Sequence, residues 1–216
     1  MFRQFFIKTF DKLEYAENFL NKGQMLFRHF SYFRNIENFR KDNNEGTAIE
    51  TTNLVLSENI KTIQIGKSSN GKKFMLDVNK LKEKFPDIFE QPISFKLSYF
   101  ADCNVYCITY IDSETQNKED VLKRIQGYGT YSVVVTNCKD FIDKVKTYLH
   151  DCKFGLVKYD NISNDRSVFN KTIDYKLDNE FRIVISSGKE QNLIEVGKIQ
   201  GFICTTKSLD ALLQVF

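Results

Sequence analysis

The chain has little histidine and no paired cysteine spacing. Its two histidines are His29 and His150, and none of its five cysteines, at 103, 107, 138, 152 and 204, forms a C-x-x-C pair. That argues against a zinc site, which wants closely spaced thiolate or imidazole ligands. Long apolar runs are missing too, so no segment reaches the 18 to 20 residues of a membrane helix. The N-terminal apolar run breaks at Lys8 and does not read as a signal peptide. Charge of one sign is also lacking: 31 basic against 28 acidic residues leave +3, too little for an extended duplex nucleic-acid surface. Gly127-x-Gly129 is too short for a phosphate loop and lacks the rest of a dinucleotide fingerprint. No internal repeat and no regular βαβ alternation occur, which excludes a doubly wound parallel sheet.

What is present is a globular composition, 42% hydrophobic and 27% charged, with 20 phenylalanines. At 216 residues it reads as a single domain, 1–216, able to bury about 70% of its unfolded surface. The thiols read as buried and reduced, Cys103 and Cys107 foremost, in a cytoplasmic protein.

Hydrophobic patterning predicts a first strand over 2–10 and a helix over 12–21, capped by Asp11 and stopped by Gly23. A second strand runs from Met25 to Phe30. Alternating segments at 47–65 and a turn at Ser68–Gly71 predict further strands, with a short helix over 79–90 closed by Pro86 and Pro92. Residues 93–111 read as strand, and a helix is centred on Val121–Ile125. Strands follow at 130–136, 154–160 and 181–185, with a helix at 139–150 and a polar loop at 160–172. Two late strands and a terminal helix capped by Ser208 finish the chain. The fold class is α+β: a mixed, mostly antiparallel, split sheet with a few flanking helices.

Four places carry candidate chemistry. Asp178-Asn179-Glu180-Phe181-Arg182 sets two carboxylates two residues apart at the head of a strand, with Glu180 and Arg182 on one face. Such a pair is either an ordinary salt bridge or a rigidly held anion that orients a ribose or steadies a cationic sugar. If the second strand continues, Arg28, Phe30, Tyr32 and Arg34 share one side and make a phosphate-gripping surface. Residues 32–46 combine three basic, three acidic and three aromatic side chains and end at Gly46. Glu37, Arg40, Asp42 and Glu45 there make either a solvated ion-pair network or a pocket mouth. Lys8-Thr9, at the end of the first strand, offers an amine and a hydroxyl to a phosphate.

A first strand ending in Lys8-Thr9, a helix stopped at Gly23 and a late strand carrying Asp178 and Glu180 resemble the ADP-ribosyltransferase arrangement. The resemblance implies an NAD cleft in a split antiparallel sheet. It implies Glu180 on the nicotinamide ribose, with Asp178 as its companion where the family prefers Glu or Gln. Arg28 or Arg34 would grip the pyrophosphate and an aromatic such as Tyr32 would stack on nicotinamide. The family's first-strand Arg or His is replaced by Lys8, unless Arg3 or Arg28 serves. Its Ser-Thr-Ser motif is absent, leaving Tyr32 or Tyr99 for the middle position. The YFR-x-IE-x-x-R-x-D-x-x-EG run and the EFRI strand also resemble small bacterial proteins with no assigned activity, among them suspected toxin and phage-defence components. The implied function is transfer of ADP-ribose from NAD to a protein or nucleic-acid target. The alternatives are a non-catalytic nucleotide- or protein-binding module and an RNA-cleaving toxin using His29 or His150.

Overall fold

The computed structural model describes residues 4–35, 46–54, 60–67, 73–89, 93–161, 167–186 and 191–215. The residues Glu37, Arg40, Asp42 and Glu45, the Ser68–Gly71 turn and Arg3 lie outside that set. The chain groups into two compact units, Met1–Ala48 with Phe100–Phe216, and Ile49–Tyr99.

The larger unit opens with β1 (Gln4–Phe10), α1 (Leu13–Lys22), β2 (Gln24–His29) and α2 (Phe30–Asn35). In sequence order β3 (Thr47–Leu54), β4 (Thr62–Lys67), β5 (Lys73–Asp77), α3 (Val78–Lys84) and β6 (Ile93–Phe100) come next. Apart from the ends of β3 and β6, these form the smaller unit. There β3 pairs with β6, and β4 pairs antiparallel with β5. Asp77 caps α3 by accepting from the backbone amides of Asn79 and Lys80. The helix expected over 79–90 is two pieces, α3 and a 3₁₀ turn at Pro86–Phe89, because a proline disfavours helical backbone in the residue before it, Phe85.

The larger unit resumes with β7 (Asn104–Asp112), α4 (Lys118–Gln126), β8 (Tyr131–Val135), α5 (Cys138–Tyr148), β9 (Cys152–Leu156) and β10 (Lys158–Asp160). Then come β11 (Asn170–Thr172), a 3₁₀ helix (Ile173–Asp178), β12 (Glu180–Ile185), β13 (Gln191–Glu195), β14 (Gly201–Thr205) and a terminal 3₁₀ helix (Thr206–Val215). Its sheet runs β13-β2-β7-β1-β8-β14, and every pairing in it is antiparallel. The α+β class and the split are as expected.

The split has a specific cause. On one edge of β7, β12 pairs with the whole run from Asn104 to Thr109. The other edge is divided. There β1 pairs with Thr109–Asp112, and β2 pairs with Asn104 and Val105. The two strands therefore diverge around Tyr106–Ile108.

Both faces of the sheet are covered. Phe6, Tyr106, Ile108 and Ile183 pack against Ala16 and Phe19 of α1 and Phe141 and Val145 of α5. Phe5, Ile7, Ile111 and Val134 pack against Val121, Leu122 and Ile125 of α4. A third group, Phe30, Cys103, Val105 and Val184, closes the β2 end. No helix of the described residues is long and apolar enough to cross a membrane.

Three local expectations are corrected. The second strand does not run to residue 34: its pairing with β7 ends at His29–Asn104, and the chain turns into α2 at the fully buried Phe30. Arg28, Phe30, Tyr32 and Arg34 therefore do not share a strand face. Lys12, not Asp11, holds the N-cap position of α1, with no side-chain cap bond. The polar 160–172 segment contains β11, which pairs parallel with β10. Glycine is required where expected at two points. Gly46 has φ 71, and a Cβ there would come within 2.5 Å of Phe30 Cγ. Gly23 ends α1 at φ 64 and hands the chain to β2.

A Cβ at Gly23 would lie 2.7 Å from Val196 Cγ2, and closer still to the Gly197 carbonyl. The Gly23→Ala variant should lose about 2 kcal/mol or more, combining left-handed strain with a backbone clash. Urea unfolding of both proteins measures this, and an unchanged midpoint would contradict the packing of α1 on residues 196–199.

Candidate functional site

The divergence of β1 and β2 opens a cavity of about 460 Å³. Lys8 and Thr9 stand on one side, Leu26 and Arg28 on the other, and Tyr32 and Phe33 of α2 close an end. The floor is the middle of β7, where Lys8 Nζ donates to the Cys107 carbonyl at 2.6 Å and lies 4.5 Å from the Tyr106 ring centre. A smaller cavity of about 110 Å³ shares Lys8, Thr9, Phe33, Cys107 and Tyr128 with the first and reaches Lys171, Asp178 and Glu180.

The smaller cavity ends on a row of alternating charges. Arg124 Nε donates to Asp178 Oδ1 at 3.0 Å, and Lys171 Nζ donates to Asp178 Oδ2 at 2.7 Å. The same ammonium reaches Glu180 Oε1 at 2.8 Å, and Arg182 Nε reaches Glu180 Oε2 at 2.9 Å. Lys171, Asp178 and Arg182 are all buried. Two tyrosines complete the row. Tyr128 donates its hydroxyl to Asp178, and Tyr159 accepts from the Glu180 amide at 2.8 Å. Arg182 also donates to the Val168 carbonyl at 2.6 Å.

Backbone geometry explains the convergence. Alternation along β12 turns Phe181 and Ile183 to the α1/α5 face and Glu180 and Arg182 to the other. Asp178 is not on the strand. It ends the 3₁₀ helix, and Asn179, left-handed at φ 43, redirects the chain into β12. The two carboxylates meet through Lys171, not through strand alternation.

Electrostatics follow from this packing. Burial alone would push the Glu180 carboxyl up, but Lys171 and Arg182 outweigh it and hold it well below its ordinary value of 4.5. Burial, then the Asp178 charge, pushes the Tyr128 hydroxyl well up, and burial with Glu180 does the same to Tyr159. Both hydroxyls stay protonated. Burial raises the Cys103 thiol to about 11, so it is not a reactive thiolate near neutral pH. All five cysteines are free, and Cys107 is only half-buried, against expectation, because its side lines the cleft.

Of the expected site residues, Lys8, Thr9, Asp178 and Glu180 line the smaller cavity. Arg28 and Tyr32 line the larger one, with the guanidinium 4.2 Å from the Tyr32 ring centre and bonded to Gln191 Oε1 at 3.3 Å. Arg34 lies in the last turn of α2 and lines neither cavity. His29 also stands apart, with Nδ1 2.7 Å from Ser31 Oγ and Nε2 3.2 Å from Asp102 Oδ1. His150 lines neither cavity. Sequence reasoning missed Lys171, Arg124, Tyr128 and Tyr159. Only Tyr128 carries a signal in the sequence, its place between Gly127 and Gly129.

No protein-family model, curated protein or solved structure matches the chain.

A carboxyl depressed in the folded state contributes stability that is fully present above its unfolded value and lost as pH falls. Glu180→Gln should cost about 3 kcal/mol near neutral pH, because it removes the carboxylate partner of the buried Arg182 and leaves Lys171 with Asp178 alone. The difference from the parent should shrink below about pH 4.5, where the unfolded carboxyl takes up its proton. Denaturant titrations across that range test this, and a gap that stays constant into acid would mean that Glu180 is not held as an anion.

Proposed function

We propose that the chain binds NAD, or a nucleoside diphosphate of the same class, in the cleft between β1 and β2, as an ADP-ribosyltransferase-like protein. The observation that carries this reading is the parting of the two strands along one edge of β7. It makes a cavity walled by aromatic rings, with Lys8 on one side and Arg28 on the other. Rings suit a base, and an amine facing a guanidinium suits a diphosphate.

Two forms of the reading differ in chemistry. Transfer of ADP-ribose to a macromolecular target, as a toxin or phage-defence effector would require, needs an anion to steady the positive charge that develops on the sugar. Glu180 is the candidate, with Asp178 beside it. Both Glu180 oxygens already accept from cations, Lys171 on one and Arg182 on the other. A carboxylate so neutralised offers little field to a cationic sugar, which favours the non-catalytic nucleotide-binding form.

Thermal unfolding with added NAD, ADP-ribose and ADP, alongside mass spectrometry for free nicotinamide, separates the two. Ligand at about 100 times its Kd adds about 2.7 kcal/mol, which moves the midpoint of a chain this size by several degrees. We expect that shift with NAD, its loss in Arg28→Ala and Tyr32→Ala, and no nicotinamide. Release of nicotinamide that disappears in Glu180→Gln would establish the transferase form. The absence of any shift and of any product would overturn both.

A further inference from the structure

The wall carrying Asp178 and Glu180 has a second cavity behind it. Along this wall the side chains alternate: Asp178 and Glu180 line the cleft, while Leu177 and Asn179 line a separate cavity of about 270 Å³. The partition is held by backbone pairing. Tyr110 donates its amide to the Asn179 carbonyl at 2.8 Å, and the Asn179 side-chain amide donates to the Tyr110 carbonyl. Tyr159 also lines this cavity, and its hydroxyl accepts from the Glu180 amide at 2.8 Å.

The cavity is apolar in body and acidic at one end. Val121, Leu156, Val157 and Leu177 supply the aliphatic surface, and Leu156 and Leu177 are 51% and 37% exposed. Exposed leucines on a concave wall are apolar surface that an occupant would cover. Tyr110 and Tyr159 add aromatic side chains to the lining. Asp112 and Glu114 stand at the acidic end, against Lys176 as the one cation among the described lining residues. Asp112 Oδ1 is fixed in place, accepting from the Glu114 amide at 3.0 Å and the Thr115 hydroxyl at 2.8 Å.

We infer that this cavity binds a small organic cation with an apolar body, an aryl- or alkyl-ammonium. Its apolar part lies on Leu156 and Leu177, and its ammonium faces Asp112 and Glu114. Occupancy presses on Tyr159 and Asn179 and so is felt at Glu180 on the far side of the wall. Any effect on nucleotide affinity rests on the nucleotide reading above, whereas the binding itself does not.

Titration of the ¹⁵N-labelled protein with phenethylammonium tests the site, with phenethyl alcohol as the neutral counterpart. We expect saturable shifts at the Leu177, Asn179 and Glu180 amides, and binding at least ten-fold weaker for the alcohol. Leu156→Arg, at an exposed position where the fold tolerates charge, should abolish binding, and Glu114→Gln should weaken it several-fold. No saturable shift, equal binding of the alcohol, or full binding by Leu156→Arg would overturn the site. Saturating phenethylammonium should change the NAD midpoint concentration by about five-fold or more. An NAD affinity that stays constant would overturn the coupling alone. If NAD does not bind at all, the Glu180 amide shift still reports whether the wall transmits occupancy.

Discussion

A strand has two hydrogen-bonding edges, and β7 gives one of them to β12 from Asn104 to Thr109. Both β1 and β2 must therefore share what remains. They do so by dividing its length, and the cleft is the consequence. Lys8 stands where the strands part and gives the Cys107 carbonyl a donor from a side chain. A buried carbonyl without a donor would be costly. The same lysine thus satisfies the sheet and charges the wall of the opening.

The two faces of β7 set the chemistry of the two regions. Its Tyr106 and Ile108 side chains lie in the large core with α1 and α5, which gives the cleft a rigid backing. Its Cys107 and Thr109 side chains look toward the charged row, with the Thr109 hydroxyl donating to the Asp178 carbonyl at 3.2 Å. The charged row therefore collects on the face where β12 alternates its own polar side chains, not on the face with the most aromatic packing.

What could be read in advance follows from what is local. The period of 2 in β12 placed Glu180 and Arg182 together, and Gly23 and Gly46 marked left-handed turns, because strand alternation and positive φ are properties of short segments. The second strand, expected over Met25–Phe30, does not continue to Arg34, because its end is decided by where β7 stops offering partners, a fact set by residues 104 and 105 far along the chain. Lys171 was invisible for a similar reason. It sits in a polar stretch and becomes significant only when β11 folds beside the 3₁₀ helix and places its amine between Asp178 and Glu180.

Stability alone does not account for the charged row. Buried ion pairs often give no more stability than apolar side chains of the same volume, since desolvation offsets the attraction. Here Arg182 is fully enclosed and Lys171 nearly so, at 0% and 4% exposure, yet their carboxylate partners line a cavity of about 110 Å³. An apolar plug at these positions would close the sheet equally well and leave no polar surface in the cleft. The arrangement instead fixes hydroxyls and carboxylates in one geometry, with the carboxylate oxygens already met by donors. Such ordering is what binding in the proposed cleft would draw on, since groups held in place lose little freedom when a ligand arrives.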